Sequence, residues 1–182
     1  MIMPGRGLAD VWDAHIAAEF EAKDATAAVA TMCDDASLVH VPVATGARGK
    51  DALRRFYADV FIPSWPDDTA VEPGSRTVGE ERVIDELLVS GTHDRPMPFW
   101  LPGVAPTGRQ FELPHVAVVA FRDGLIASEH IYWDQASLLV QLGLLPDAES
   151  LPVLGVAQTR AFVDPTYPLN ELIERPSSGR GD

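Results

Sequence analysis

Hydrophobic residues recur at helical spacing in the first third of the chain. The spacing predicts a helix from residue 8 to about residue 22. A second, shorter helix, DATAAVATM, is predicted to begin at Asp24, whose side chain suits the N-cap position. A third is predicted over residues 50–61, and the segment between, ASLVHVPV (residues 36–43), is typical of a strand.

The pattern changes from helical spacing to alternation in the middle of the chain. RTVGEERVIDELLVSGTHD (residues 76–94) predicts one or two strands. QFELPHVAVVAF and LIASEHIYWD flank Arg122-Asp123-Gly124 and predict a hairpin. Helices followed by antiparallel strands indicate an α+β domain, with about three N-terminal helices on one face of a curved, mostly antiparallel sheet. Such a cone has one apolar mouth, where small molecules bind.

One more helix is predicted after the last strand. Asp134 suits its N-cap, and Gly143 suits the left-handed position at its C-terminal end. We therefore predict a domain over residues 1–149, followed by an extension and tail over residues 150–182 with one short helix in VAQTRAFV.

The segment RPMPFWLPGVAPTGR, residues 95–109, has four prolines and two glycines and is predicted to be a loop. Its Phe99, Trp100 and Leu101 are unusually apolar for a loop. We expect them to cover a cavity or a partner subunit, so that the loop forms a rim or lid.

Charge and cysteine content exclude several classes of protein. The formal net charge is -13 and the isoelectric point is about 4.6, which disfavours nucleic acids and anionic membranes as partners. Cys33 is the single cysteine, so neither an intramolecular disulfide nor a cysteine metal cluster is expected. The sequence shows no long apolar run, and we expect a cytoplasmic location.

Common catalytic motifs are missing, but histidines are spread along the chain. The sequence has no P-loop, no GxSxG and no HExxH. Its five histidines are His15, His40, His93, His115 and His130. A single buried histidine is usually structural, but several that converge on one cavity indicate a functional site.

The hairpin turn decides which of these side chains share a face. In a two-residue Asp-Gly turn, Arg122 pairs with Leu125 and His115 faces Tyr132. In a three-residue loop with Gly124 left-handed, His115 instead lies on the side of Glu129. Because a slip of one residue exchanges the two faces, composition alone leaves both registers open.

A resemblance favours the three-residue loop. PTGRQFELPHVAVVAFRDGLIASEHIYWDQASLLVQLGLL, with DDASLVHVP and GKDALRRFY upstream, resembles the SnoaL-like polyketide cyclase branch of the nuclear-transport-factor-2-like (ketosteroid isomerase-like) superfamily. It looks closer still to an uncharacterised SnoaL-like subgroup. The resemblance covers residues 8–146 and implies the cystatin-like cone fold.

The resemblance also implies the site. By position, the histidine and carboxylate that flank the substrate in SnoaL-type cyclases correspond to His115 and Glu129, although the cyclase carboxylate is an aspartate. It implies a cofactor-free enzyme in which Glu129 takes a proton from the carbon beside a carbonyl group and His115 binds the enolate oxygen or returns the proton. The substrate would be a small, largely apolar carbonyl compound, in a cyclase-, isomerase- or dehydratase-like reaction. The rest of the substrate site is predicted from Trp12, His15, His40, His93, Trp100 and Trp133.

Two alternatives remain open. A non-catalytic binding or assembly domain would use the same pocket, with its polar groups paired structurally and none strongly shifted in pKa. A zinc or iron site would draw on His40, His93, His115 and Glu129, although HxH and HxxxH spacings are absent, and we predict no metal. We also expect a homodimer through the outer face of the sheet, where Val116 and Val118 would lie.

Overall fold

The computed structural model describes residues 7–145 and 150–175. The helices are α1 (Leu8–Phe20), α2 (Ala25–Ala30), α3 (Lys50–Phe56), α4 (Gln135–Gln141), α5 (Val156–Val163) and α6 (Glu171–Glu174). The strands are β1 (Met32–His40), β2 (Thr45–Arg48), β3 (Ala70–Val78), β4 (Arg82–Thr92), β5 (Gln110–Arg122) and β6 (Leu125–Trp133).

The strands form one six-stranded sheet in the order β2-β1-β6-β5-β4-β3. The pair β1–β6 is parallel and the other four pairs are antiparallel. Helices α1 and α3 pack on the sheet, and α2 packs against both helices. The predicted α+β cone with a mostly antiparallel sheet is confirmed.

Two predicted helix starts are confirmed atom by atom. The Asp24 carboxylate accepts hydrogen bonds from the backbone N–H groups of Thr26 and Ala27, and Asp134 does the same for α4. These bonds satisfy donors that the first helical turn leaves unpaired. Gly143 has φ of 68°, as its position after α4 predicted.

The region around the first strand differs from the prediction. β1 begins at Met32, four residues before the predicted strand, and it ends at His40. β2 was not predicted, because its sequence, TGAR, has no apolar alternation. It is held by antiparallel pairing with β1 over residues 37–40, a contact that local sequence does not encode.

The third predicted helix changes its geometry part-way. α3 ends at Phe56 and continues as a π-helical turn over Tyr57–Phe61, in which the N–H of Ile62 donates to the carbonyl of Tyr57. Such turns widen a helix and often lie at functional sites. The Tyr57 side chain at its start is fully buried.

The loop over residues 95–109 packs into the core. Phe99, Trp100 and Leu101 are 0%, 1% and 2% exposed, and Met97 is also fully buried. Trp100 lines the internal cavity, as the expectation that this apolar segment covers a cavity requires, and the role of the loop as a rim or lid stays a prediction. They lie against aromatic rings from the helical layer and from the sheet, including Trp65 and Phe111.

The C-terminal segment packs on the sheet through α5. The Thr159 hydroxyl donates to the Glu112 carbonyl of β5 at 2.6 Å, and the Ser137 hydroxyl of α4 donates to the Gly155 carbonyl. No helix within residues 7–145 or 150–175 is long and apolar enough to cross a bilayer.

Candidate active site

The turn between β5 and β6 has two residues. Arg122 pairs with Leu125, and φ is 53° at Asp123 and 76° at Gly124. Two successive positive φ values are the signature of a type I′ hairpin turn. The hypothesis of a three-residue loop is therefore wrong.

A β-bulge next to this turn restores the face that the three-residue loop would have produced. Phe121 pairs with Ile126, but the next pair is Ala120 with Ser128. Ala127 is thus an extra residue in β6. One extra residue exchanges the inner and outer faces for the rest of the strand.

The bulge brings His115 and Glu129 to the inner face of the sheet. Glu129 lies opposite Val119, and His115 lies opposite Trp133. His115 is 4% exposed, Glu129 is 2% exposed, and both line the same cavity. The two residues that the resemblance implied are therefore together, by a route that differs from the expected one.

The cavity lies between α1, the π-helical turn and the inner face of the sheet. The volume traced within it by the centre of a water-sized sphere is about 70 Å³. Its lining is Trp12, Ile16, Glu19, Phe20, Leu38, His40, Phe61, Trp65, Val71, Leu87, Val89, Trp100, His115, Ala117, Glu129 and Ile131.

Glu129 belongs to a cluster of four polar side chains, which we call the carboxylate cluster: His15, Glu19, Tyr57 and Glu129. His15 Nε2 is 3.0 Å from Glu19 Oε1, 3.2 Å from Glu129 Oε1 and 3.2 Å from the Tyr57 hydroxyl. The Tyr57 hydroxyl also donates to Glu129 Oε1 at 3.4 Å. Both contacts to Glu129 use Oε1, so Oε2 has no partner among the described residues.

The hydrogen bonds of the other ring nitrogen, Nδ1, show the protonation state of His15. Nδ1 is 3.1 Å from the Ala28 carbonyl oxygen and 2.8 Å from Thr31 Oγ1. Because the Thr31 hydroxyl proton is donated to Ala28, both atoms act as acceptors and Nδ1 carries a proton. A second proton on Nε2, facing two carboxylates, makes His15 an imidazolium.

The cluster raises the pKa of both His15 and Glu129. Burial lowers the pKa of His15, but the nearby Glu129 and Glu19 carboxylates outweigh it and raise the value to about 9. Burial raises the pKa of Glu129 to about 7, against the opposing effect of His15 and with a contribution from Glu19. Glu129 is therefore a carboxylate that changes protonation near neutral pH, which suits a general base.

His115 Nε2 carries a lone pair and no proton. Its Nδ1–H donates to the Leu113 carbonyl at 3.0 Å, and burial lowers the pKa of the ring to about 4. At neutral pH the ring is uncharged and Nε2 is an acceptor. The expected role of His115 as a proton donor to an enolate oxygen does not fit this tautomer.

His40 is held in the same tautomer. Its Nδ1 is 3.1 Å from Thr45 Oγ1, and the Thr45 hydroxyl donates its own proton to the Phe99 carbonyl at 2.6 Å. Nδ1 of His40 is therefore the donor. Burial, together with the proximity of His115, lowers the pKa of His40 to about 3.

The sequence matches a known protein family. The profile of the SnoaL-like domain matches residues 12–129, which is more than half of the chain. The chain belongs to the SnoaL-like family. No curated protein matches the sequence significantly.

Solved structures of low sequence identity share the fold. A putative SnoaL-like polyketide cyclase from Jannaschia sp. CCS1 is 17% identical, with 80% of this chain and 99% of that chain covered and a TM-score of 0.61. TsrD from Streptomyces laurentii is 20% identical, with 79% and 100% covered and a TM-score of 0.62. A protein from Catenulispora acidiphila with a ketosteroid isomerase-like fold, in complex with trimethylamine, is 18% identical, with 76% and 95% covered and a TM-score of 0.58.

The predicted substrate-binding residues of this SnoaL-like chain fall into two groups. Trp12, His40 and Trp100 line the cavity, and the Trp12 indole N–H is already donated to Asp85 at 2.8 Å. The other three lie outside the lining. His15 contacts Glu129 in the carboxylate cluster, and Trp133 packs its ring against His40 and His115.

His93 lies at the base of the loop over residues 95–109. The Thr107 backbone N–H donates to His93 Nδ1 at 3.3 Å, and the backbone of His93 pairs with Gly108 and Arg109. Its position fits a role in holding this loop in place.

Sequence reasoning missed three residues of the SnoaL-like site. Glu19 lies four residues after His15 on α1, a spacing that puts both side chains on one helix face and that was visible in the sequence. Tyr57 and Trp65 gave no such signal. Both come from the segment after α3, where the helix changes geometry and then ends.

The carboxylate cluster also holds three residues of metal-ligating type, although a metal could bind His15 only after its Nε2 lost the proton. His15, Glu19 and Glu129 each offer one ligand atom, and these atoms lie within 4.8 Å of one another. Among the described residues, the predicted alternative set of His40, His93, His115 and Glu129 forms no such group. The contacts of 3.0 and 3.2 Å within the cluster are ordinary hydrogen-bond lengths.

Proposed function

We propose that this SnoaL-like protein is a cofactor-free acid/base enzyme that acts on a small, largely apolar carbonyl compound, with Glu129 as the general base. The observation that carries the proposal is a buried carboxylate with a pKa of about 7 in the wall of an apolar cavity. A base titrating near the working pH combines an available basic form with enough proton affinity to react.

The carboxylate cluster supports this role through the two oxygens of Glu129. Oε1 is held by His15 and Tyr57, which fixes the direction of the carboxylate. Oε2 is left to take the proton from the carbon beside the substrate carbonyl, and the electron pair of that C–H bond moves into the enolate. Protonated Glu129 then gives this proton to another carbon in an isomerisation. In a cyclisation the enolate carbon attacks a second carbonyl and the resulting alkoxide oxygen takes the proton, and in a dehydration a β-hydroxyl takes it and leaves as water.

The alternative of a non-catalytic binding domain fits the structure less well. It predicts that the polar groups of the pocket are paired and that none is strongly shifted. The pKa of Glu129 is strongly raised by burial. In addition, two buried polar atoms on the lining residues Trp65 and His115 have no partner among the described residues.

The test is proton exchange at the α-carbon of small apolar ketones. The purified protein is incubated in D₂O with 2-tetralone, cyclohexanone or acetophenone, and loss of the α-proton signal is followed by ¹H NMR. We expect accelerated exchange with at least one of the ketones, with a rate that rises with pH through about 7 as Glu129 ionises.

The matched variants are Glu129→Gln and Glu72→Gln. Carboxamide has the shape of carboxylate but is not a base, so Glu129→Gln should slow exchange by about 10²-fold or more. Glu72 is an exposed residue of β3, and its variant should retain the wild-type rate. Exchange that survives Glu129→Gln, no exchange with any ketone, or a stoichiometric metal in the purified protein would each contradict the proposal.

A further inference from the structure

Two buried polar atoms in the cavity wall have no hydrogen-bond partner among the described residues: Trp65 Nε1 and His115 Nε2. Trp65 is 7% exposed and His115 is 4% exposed, and both residues line the cavity. A buried polar group without a partner is destabilising, and in native proteins such groups usually meet water or a ligand.

Trp65 contributes a donor. The indole Nε1–H has no acceptor capacity, and the ring is held by Phe99, with centroids 4.8 Å apart, and by Trp100, with centroids 4.9 Å apart. These neighbours are aromatic rings, which offer no oxygen to the N–H. Because Trp65 lines the cavity and no described residue accepts from its Nε1, a molecule in the cavity is the acceptor that we consider.

His115 contributes an acceptor. Its Nδ1 proton is committed to Leu113, so Nε2 carries a lone pair. His40 offers a second such lone pair, because its Nδ1 proton is committed to Thr45 and its Nε2 has no partner among the described residues. Both histidines line the cavity.

The donor and the acceptor are supported by the same side chain. The Trp65 ring packs edge-on against Trp100 at 4.9 Å, and the His115 ring stacks on Trp100 at 4.9 Å with an interplanar angle of 19°. The centroids of the Trp65 and His115 rings therefore lie within about 10 Å of each other, next to the apolar ring of Trp100.

We propose that the cavity takes a hydroxy-carbonyl compound, whose carbonyl oxygen accepts from Trp65 Nε1–H and whose hydroxyl donates to His115 Nε2. This proposal rests on the proposed function in one respect: the carbonyl group that binds Trp65 is taken to be the one beside which Glu129 removes the proton. The negative charge that forms on the carbonyl oxygen in the enolate would then face the Trp65 N–H, and Trp65 would take the oxyanion role first expected of His115.

Three ligands of one shape test the pairing by calorimetry with the full-length protein. 3′-Hydroxyacetophenone has both groups, 3′-methylacetophenone lacks the hydroxyl donor, and 3-ethylphenol lacks the carbonyl acceptor. We expect 3′-hydroxyacetophenone to bind about ten-fold more tightly than either of the others, because each of them leaves one buried group unpaired.

Variants assign each preference to its residue. His115→Phe should abolish the preference for 3′-hydroxyacetophenone over 3′-methylacetophenone and keep the preference over 3-ethylphenol. Trp65→Phe should show the reverse. Wild-type protein that shows these ligand preferences without accelerating α-proton exchange would reject the base mechanism and keep the ligand assignment, whereas exchange without the preferences would do the reverse.

An NMR measurement on the wild type makes the test independent of the variants. The indole N–H resonance of Trp65 should move downfield with both acetophenones and stay in place with 3-ethylphenol. Equal affinity for the three ligands, or an unmoved Trp65 resonance with 3′-hydroxyacetophenone bound, would overturn the proposal.

Discussion

The proton affinity of Glu129 is set by its neighbours. Burial and the Glu19 carboxylate raise its pKa, and His15 opposes them. His15 Nε2 contacts both carboxylates. One imidazolium therefore holds two acidic side chains together in a buried site. Removing His15 would leave those carboxylates facing each other without a positive charge between them.

At the residue scale, His15 should make the stability of the protein depend on pH. Its folded-state pKa of about 9 lies above the ordinary value of 6.5, so its stabilisation is complete below pH 6.5 and is lost as the pH rises to about 9. Glu129 acts in the same direction between pH 4.5 and about 7. We expect the free energy of unfolding to fall by about 1 to 3 kcal/mol between pH 6.5 and 9.

Urea denaturation at a series of pH values measures this effect. His15→Gln should be less stable at pH 6.5 and should show a flatter dependence above it, whereas the exposed His130→Gln should keep the wild-type slope. A wild-type stability that rises between pH 6.5 and 9 would contradict the assignment.

At the scale of elements, the β5–β6 hairpin sets the face on which Glu129 lies. The type I′ turn alone would direct Glu129 outward, and the bulge at Ala127 returns it to the cavity. Two local features of opposite effect thus place the proposed base. The turn depends on left-handed backbone at Asp123 and Gly124.

We expect Gly124→Ala to destabilise the protein by about 1 kcal/mol. A Cβ at this position would meet nothing within 4 Å, so the cost comes from the φ of 76° alone. Gly79, in the turn between β3 and β4, has no positive φ, and Gly79→Ala should be neutral or slightly stabilising. Thermal unfolding of both variants checks the contrast, and equal losses would show that backbone strain is not the cause.

At the scale of the whole molecule, the outer face of the sheet exposes apolar surface next to the segment that α5 covers. Ile84 and Tyr132 are 38% and 40% exposed, and Val116 and Val118 beside them are half-buried. The register places Val118 between Ile84 and His130. The outer face of an antiparallel sheet can either face solvent or pack against another surface. Its exposed apolar side chains favour packing here.

We propose that a second copy of the chain covers it, giving a homodimer. Light scattering at micromolar concentration should give twice the monomer mass of 19.7 kDa. Val118→Arg should shift the protein toward monomer, because it places a charge in the middle of the contact. Ile173→Arg on α6, where the side chain is already 82% exposed, should leave the mass unchanged, and a monomeric wild type would contradict the proposal.

The sequence by itself determined the features that depend on neighbouring residues. Periodic apolar positions located the N-terminal helices and the long strands, and Asp24 and Asp134 marked helix starts because an N-cap acts within three residues. Asp123-Gly124 marked the hairpin because the turn type depends on the residues in the turn itself. The alternation of residues 129–134 separated Glu129 and Trp133 from His130 and Tyr132, but it was the resemblance that assigned the first pair to the buried face.

Only the tertiary structure decided how the site is assembled. The bulge at Ala127 depends on pairing of β6 with its neighbours, and no local signal announces it. The carboxylate cluster joins Glu129 to His15 and Tyr57, which are 114 and 72 residues away in sequence. The Trp65 N–H, which has no partner within the described part of the chain, is surrounded by rings from distant segments. Local hydrogen bonding selects helices and strands. The protonation state of a buried side chain, and whether its donors and acceptors find partners, depend instead on all the groups that pack around it.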